Sequence, residues 1–350
     1  MRLRGGQTLL FRHRLHALRA DEPVNEKRDP ARNDEVIGNR DHDEYASSHS
    51  TVRRKYKRAA VKFFSALSIV AAARFNSRVA MLHIQTVQAL DAPELALYRT
   101  LRRVEEHERA GVLVAANNKV IKRLLASRFT VVSALVTPAW LEKLESQLRA
   151  RSEEKINVYV AAPPLLETIT GYQLHQGALA VAKIPPLPDL ETLLKKSPRP
   201  LLLAAVEGIA SAENLGAVVR SCAAFGAHFL IVGETCGSPF QRRAVSGSMG
   251  TIFEQPLVRV KNLVATLTAL RGRGVRCLAA HPRPGAIKLS HADLRGDCCL
   301  VFGAEGPGLS APALAACDDQ VEIPMPSHMN SLNVAVASGI FLYEATRQRG

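Results

Sequence analysis

Five side chains carry the chemical interest of this chain. Asn214 and Arg220 stand six apart in ENLGAVVRSCAAFGA, Glu305 sits in CCLVFGAEGPGLS, and Ser331 and Asn333 sit in IPMPSHMNSLNVAVASG. Each is a hydrogen-bonding or charged group set among small apolar residues. The last stretch is the most unusual. A final helix is read from Ser327 to Ala345, and Ser327, Asn330, Ser331 and Asn333 crowd its start. One cap needs one Ser or Asn, so the excess predicts a polar cluster on a buried helix, placed there for a task. Arg220 emerges from a largely apolar helix, and Gly216 in that helix permits close approach of another backbone. A plainer reading stays open for the first stretch, with Asn214 as a helix cap and Arg220 in an edge salt bridge. For the second it is a tight turn, and for the third a multiply capped helix.

These groups need elements to position them. In the last 150 residues or so, apolar runs such as LLLAAV, HFLIV, VRCLAA and CCLVF alternate with helical segments, which predicts a parallel sheet covered on both faces. In open sheets of that kind ligands bind beyond the carboxyl ends of the strands. The strand CCLVF runs into Gly303, and the turn after it carries Glu305, Gly306, Pro307 and Gly308. The order G-x-x-G-x-G does not match a dinucleotide fingerprint, and the chain has no Walker motif. Pro324 and Pro326 hold the segment after the last strand extended, so Glu305, Ser331 and Asn333 are expected to converge above the sheet. His281 stands at the end of another strand, and His328 in the loop before the last helix.

Four segments are expected along the chain. Residues 1–94 form a basic, weakly structured extension whose first twenty residues are Arg-rich and free of acids, like an organelle transit peptide. Residues 95–185 form a small α/β domain, 186–199 a Pro-rich and charged linker, and 200–350 the second α/β domain. The formal net charge of +14 favours an acidic partner, nucleic acid above all. All six cysteines lie between Cys222 and Cys317, none in a C-x-x-C, and they read as small buried hydrophobes in a reducing compartment. No run has the length of a membrane-spanning helix, and no metal-ligand spacing is found. Aromatic residues make up only 5%, so base stacking is not the expected mode of contact.

The three stretches, in this order and spacing, resemble the three motifs of the SpoU (TrmH-like) branch of the SPOUT methyltransferases. The resemblance covers about residues 200 to 350. The domain before it is similar to a ribosomal-protein-like RNA-binding domain, with GYQLHQGALAVAKIP as its best piece. The resemblance implies a trefoil knot, in which the tail passes through a loop, a topology that ordinary connection rules nearly forbid. It implies a homodimer, S-adenosylmethionine as cofactor, and methylation of a ribose 2′-hydroxyl in RNA without a metal. It also assigns roles. Asn214, Arg220, Glu305, Ser331 and Asn333 become the catalytic set, with Glu305 fixing Arg220 or the helix start. Gly303, Ile323, Met325 and Leu332 become the cofactor cradle. Arg220 is better suited to bind a phosphate or a forming alkoxide than to act as base, because guanidinium stays protonated. Glu213 departs from the small residue or proline that relatives often carry before the Asn. Lys119, Lys122 and Arg123 in the small domain, and Arg242 and Arg243 in the second, are candidate phosphate contacts. Structured RNA is the expected partner, ribosomal in preference to transfer RNA, with no membrane. The expected location is the cytoplasm, or an organelle if the Arg-rich start is a transit peptide. The competing readings are a transfer-RNA enzyme, a base methylase, and a non-catalytic RNA-binding or ribosome-assembly protein that keeps the knot.

Overall fold

The computed structural model describes residues 80–101, 103–170, 177–326, 329 and 331–350. The expected transit segment, the best piece of the small-domain resemblance over residues 171–176, and Ser327, His328 and Asn330 lie outside these residues.

The first sheet is built from β1 (Met81–Val87), β2 (Val112–Ala116), β3 (Val131–Val136), β4 (Lys155–Ala161) and β5 (Ala178–Lys183). Its order is β1-β4-β3-β5-β2, and β5 alone runs against its neighbours. The helices between them are α1 (Ala96–Arg99), α2 (Val104–Arg109), α3 (Asn118–Ala126), α4 (Pro138–Arg149) and α5 (Pro163–Thr170). The inner strands are largely apolar because both sheet faces are covered. β1 starts ahead of Leu95, the boundary expected from the sequence. It is an edge strand with only Val87 buried, so it lacks the alternation that betrays a half-buried strand. The chain from Ala96 to Arg109 forms two short helices rather than one. The Thr100 hydroxyl closes back on the Ala96 carbonyl at 3.1 Å, and the Arg103 amide donates to the Thr100 carbonyl at 2.8 Å.

The second sheet contains β6 (Leu202–Val206), β7 (Phe229–Val232), β8 (Leu257–Arg259), β9 (Arg276–Ala280), β10 (Ile287–Lys288), β11 (Cys298–Phe302) and β12 (Asp319–Glu322). All are parallel, in the order β10-β12-β9-β11-β6-β7-β8. Its helices are α6 (Leu190–Lys196), α7 (Ala212–Ala224), α8 (Arg242–Gly247), α9 (Leu263–Arg271), α10 (Ala311–Ala315) and α11 (Val334–Arg349). One face buries Leu215, Val218, Val219 and Cys222 of α7 with Phe341 and Leu342 of α11; the other buries Leu263, Leu267 and Leu270 of α9. β8 and β10 are too short for a sequence pattern to expose. α6 lies in the expected linker, yet Leu193 is buried in the core of the second sheet and Glu191 pairs with Arg273. The six cysteines are free and buried, as their apolar neighbours suggested.

β12, β9 and β11 are neighbours, so the loops leaving their carboxyl ends meet. After β12 the chain leads to α11, which packs on α7 and β11. Phe341 of α11 meets Phe302 of β11 edge to face, with ring centroids 5.7 Å apart.

The first sheet depends on one buried ion pair. Arg151 donates to the carbonyls of Leu125 (2.7 Å), Ser127 (2.6 Å) and Phe129 (2.6 Å), closing the end of α3, and to Glu153 at 3.0 Å. Glu153 also accepts from the Val131 amide at 2.9 Å. Burial pushes the Glu153 carboxyl up, but the bonds from Arg151 and Val131 outweigh it and hold the group below its ordinary value. A carboxyl depressed by folding stabilises the fold above its unfolded pKa of about 4.3, and that contribution is lost as pH falls through the folded value. Arg151→Ala leaves Glu153 and three carbonyls without their partner, and chemical denaturation is expected to show a loss of about 3–5 kcal/mol at neutral pH. The difference between the two proteins should shrink as the pH falls below about 4.

Candidate active site

α7 is capped by Ser211, whose hydroxyl accepts from the Asn214 amide at 3.2 Å. The cap reading of Asn214 is therefore taken by another residue, and the Asn214 side chain is free to turn outward. Gly216 allows α8 to cross α7 closely, since a Cβ there would lie 2.3 Å from the Ala244 carbonyl oxygen.

Asn214, Glu305 and Asn333 meet. Asn214 Nδ2 donates to Glu305 Oε1 at 2.7 Å, and Asn333 Nδ2 donates to the same oxygen at 2.6 Å and to Asn214 Oδ1 at 3.1 Å. A carboxylate only accepts, so both amides must present their NH2 groups to it. Asn333 has a second duty: its Oδ1 accepts from the Ala335 amide at 2.9 Å and caps α11. The cap fixes the oxygen end of the amide and so aims the nitrogen end at Glu305. The last helix thus begins at Val334, seven residues later than read from the sequence, and Ser331 and Asn333 belong to its approach rather than its body. Nor is the cluster buried: Glu305, Ser331 and Asn333 are exposed.

The exposed cluster borders a cavity of about 550 Å³. Gly303, Ile323, Met325 and Leu332, the expected cradle, all line it, as do Glu305, Ser331 and Asn333. Its floor is apolar, from Phe302, Val321, Ala337 and Phe341. The volume suits a small ligand with one flat and one polar end. Ala337 and Phe341 were not singled out from the sequence. Their spacing of four on α11 puts them on one helical face, which is the signal that was available. His281 also lines the cavity, close to Gly308. Burial pushes the Cys222 and Cys317 thiols up to about 12, so neither is an ionised nucleophile at neutral pH.

Arg220 stands apart from the cluster. It is exposed, with no hydrogen bond or ion pair among the described residues, and Glu305 holds the two asparagines rather than the guanidinium. Six residues along α7 place it about 9 Å from Asn214 along the axis and about 120° around it. The expected phosphate contacts differ in their surroundings. Lys119 and Lys122 are exposed on α3. Arg123, beside them, donates to the Met249 carbonyl at 2.9 Å. Arg243 faces Glu213 at 3.5 Å, which gives the unusual Glu213 a partner. Arg242 is half-buried, and its Nε finds no acceptor among the described residues. Replacing Glu305 with Gln would set an NH2 group among two others. If the cluster orients a reacting hydroxyl, Glu305→Gln should lower turnover by about 10²-fold in an RNA methylation assay.

Comparison with known proteins identifies relatives over most of the chain. Residues 201–343 match the SpoU rRNA Methylase family. An uncharacterized tRNA/rRNA methyltransferase of Mycobacterium bovis is 33% identical over 273 residues, covering 76% of this chain and 93% of the relative. A 23S rRNA (guanosine-2′-O-)-methyltransferase of a Burkholderia species is 32% identical over 232 residues, covering 64% of this chain and 94% of the relative. The crystal structure of the SpoU methyltransferase AviRb from Streptomyces viridochromogenes, in complex with the cofactor AdoMet, superposes with a TM-score of 0.61 at 26% identity, covering 73% of this chain and 98% of that one. The motifs, the all-parallel second sheet and these relatives lead to one assignment: the chain belongs to the SpoU rRNA methylase family, and is an S-adenosylmethionine-dependent RNA 2′-O-methyltransferase.

Proposed function

We propose that the chain methylates a ribose 2′-hydroxyl of ribosomal RNA at the mouth of the cavity, where Glu305 holds Asn214 and Asn333. That hydrogen-bonded cluster at the rim of a ligand-sized space is the observation that carries the reading. S-adenosylmethionine, when bound, supplies an electrophilic methyl group. The residues of the chain do the rest. Ile323, Met325 and Leu332 enclose the cofactor, with backbone groups near Gly303 reading its polar edge. Ser331, Asn214 and Asn333 would orient the ribose hydroxyl toward the methyl group that the cofactor supplies. Arg220 binds the phosphate beside that ribose or stabilises the forming alkoxide. It does not take the proton, because a guanidinium remains charged.

Ribosomal RNA is preferred to transfer RNA on the two-domain layout, and the Burkholderia relative bears a 23S rRNA name. The reading places the enzyme in the cytoplasm, or in an organelle if the Arg-rich start is a transit peptide. Among the described residues no helix is long and apolar enough to cross a membrane.

The same reading includes a homodimer. Val336, Ile340 and Tyr343 of α11 are 51%, 36% and 56% exposed, an apolar stripe at helical spacing. On α7, Ser221, the residue after Arg220, faces Gly339 of α11. Pairing across α11 would set Arg220 beside the subunit contact. Ile340→Asp is expected to convert a dimer to a monomer in sedimentation and to cost activity with it. A wild-type chain that sediments as a monomer at micromolar concentration would remove the dimer from the proposal.

The function is tested by incubating the full chain with methyl-labelled S-adenosylmethionine and RNA from cells that lack the protein. Label is expected in ribosomal RNA at one site that resists alkaline cleavage. Label confined to transfer RNA would redirect the substrate, and label on a base would end the ribose assignment. Arg220→Ala should lower turnover by about 10²–10³-fold while cofactor affinity changes little, as measured by titration calorimetry.

A further inference from the structure

Arg123 was expected to touch RNA, yet it is engaged within the protein. The turn it grips is unusually shaped. Met249 and Gly250 both have positive φ, 53° and 82°, which aims the Met249 carbonyl at Arg123. Ser248, fully buried, scaffolds the turn: its hydroxyl donates to the Val245 carbonyl at 2.8 Å and accepts from the Gly250 amide at 3.2 Å. Gly250 meets α3 directly, since a Cβ there would lie 3.1 Å from Cβ and Cδ of Arg123. Beside the turn, Phe129 of the first domain sits between Phe253 and Phe240 of the second, at 5.2 and 6.2 Å between centroids. The turn follows α8, and α8 crosses α7 at Gly216, two residues from Asn214. An unbroken line of packed contacts therefore runs from α3 to the helix that carries Asn214 and Arg220.

We propose that Arg123 is a positioning residue that clasps α3 to the Met249–Gly250 turn, so that Lys119 and Lys122 and the Asn214–Arg220 helix form one rigid RNA-reading surface. The clasp sets the spacing between the phosphate held on α3 and the ribose that is methylated. The substrate is then selected by a fixed distance across the RNA, and a small domain swinging on a linker is excluded. The proposal rests on the RNA methyltransferase reading above for its consequence, though the clasp can be tested by binding alone.

Two substitutions separate a clasp from a phosphate contact. Arg123→Ala removes the grip and a charge. Gly250→Ala keeps every charge but places a methyl group against Arg123 in a backbone conformation that L residues rarely adopt. Full-length protein is titrated with ribosomal RNA from cells lacking the protein over a range of potassium chloride, and methylation of the same RNA is followed to separate kcat from KM. If Arg123 clasps, both variants lose about 10²-fold in kcat/KM, as a displacement near 1 Å can cost. Cofactor affinity and the salt slope of RNA binding then stay at wild-type values, and Arg123→Lys recovers part of the loss. Lys122→Ala should instead flatten the salt slope by about 0.7–0.9, as loss of one phosphate contact does. Arg123→Ala is a surface change and keeps the comparison valid should Gly250→Ala fold poorly. The clasp is overturned if Arg123→Ala flattens the slope as Lys122→Ala does, or if Gly250→Ala matches the wild type. A wild-type chain that binds the RNA but transfers no methyl group would refute the enzymatic reading, while the salt slopes still decide the clasp.

Discussion

A carboxylate that accepts from two asparagine amides imposes a geometry that neither amide has alone. Glu305 lies on the loop after β11, Asn214 on α7, and Asn333 at the start of α11. These segments are far apart in sequence, and the site exists only while one oxygen holds both nitrogens. The tail of the chain is brought there by its path across the sheet and kept there by the Asn333 cap. The same contact that shapes the mouth of the cavity thus closes the fold. Each amide is oriented by a bond at its other end, Asn214 Oδ1 accepting from Asn333 and Asn333 Oδ1 accepting from the Ala335 amide, so the cluster is held from three segments at once.

Much of this was legible in the sequence because the residue types were out of place. A glutamate in a Gly-rich turn and a run of Ser and Asn before an apolar helix both contradict what a simple core requires. The parallel sheet was legible too, as apolar runs without alternation. What the sequence concealed was local and competitive. Ser211 and Asn214 are both good caps, and only the backbone decides which one closes α7. Several polar residues precede α11, and the sequence does not say which of them is the last before the helix. Edge strand β1 has almost no buried face, so its hydrophobic pattern carries no period. Arg123 looked like its neighbours Lys119 and Lys122 because a helical face of basic residues is uniform in sequence. Its partner is the carbonyl of Met249, a group every residue has and no pattern marks.

Electrostatics divides the basic residues into those with internal work and those without. Arg151, Arg271, Arg273 and Arg276 have carboxylate partners in the protein. Lys119, Lys122 and Arg220 are exposed to solvent. The formal charge of +14 is therefore neutralised in part within the protein, while these exposed cations on α3 and α7 lie where the substrate is expected.

The core deserves a last consideration. One continuous set of buried side chains runs from Leu113, Val120 and Ile121 in the first sheet to Val245, Ile252 and Phe253 in the second. Two sheets that share a core melt together, so heat or urea should show a single cooperative transition where two independent modules would show two. A chain cut after Lys183 would leave Phe240 and Phe253 bare on one fragment and Phe129 bare on the other, and each piece would tend to aggregate as a folding intermediate does. Cutting this chain at the apparent hinge between its sheets would divide one thermodynamic unit.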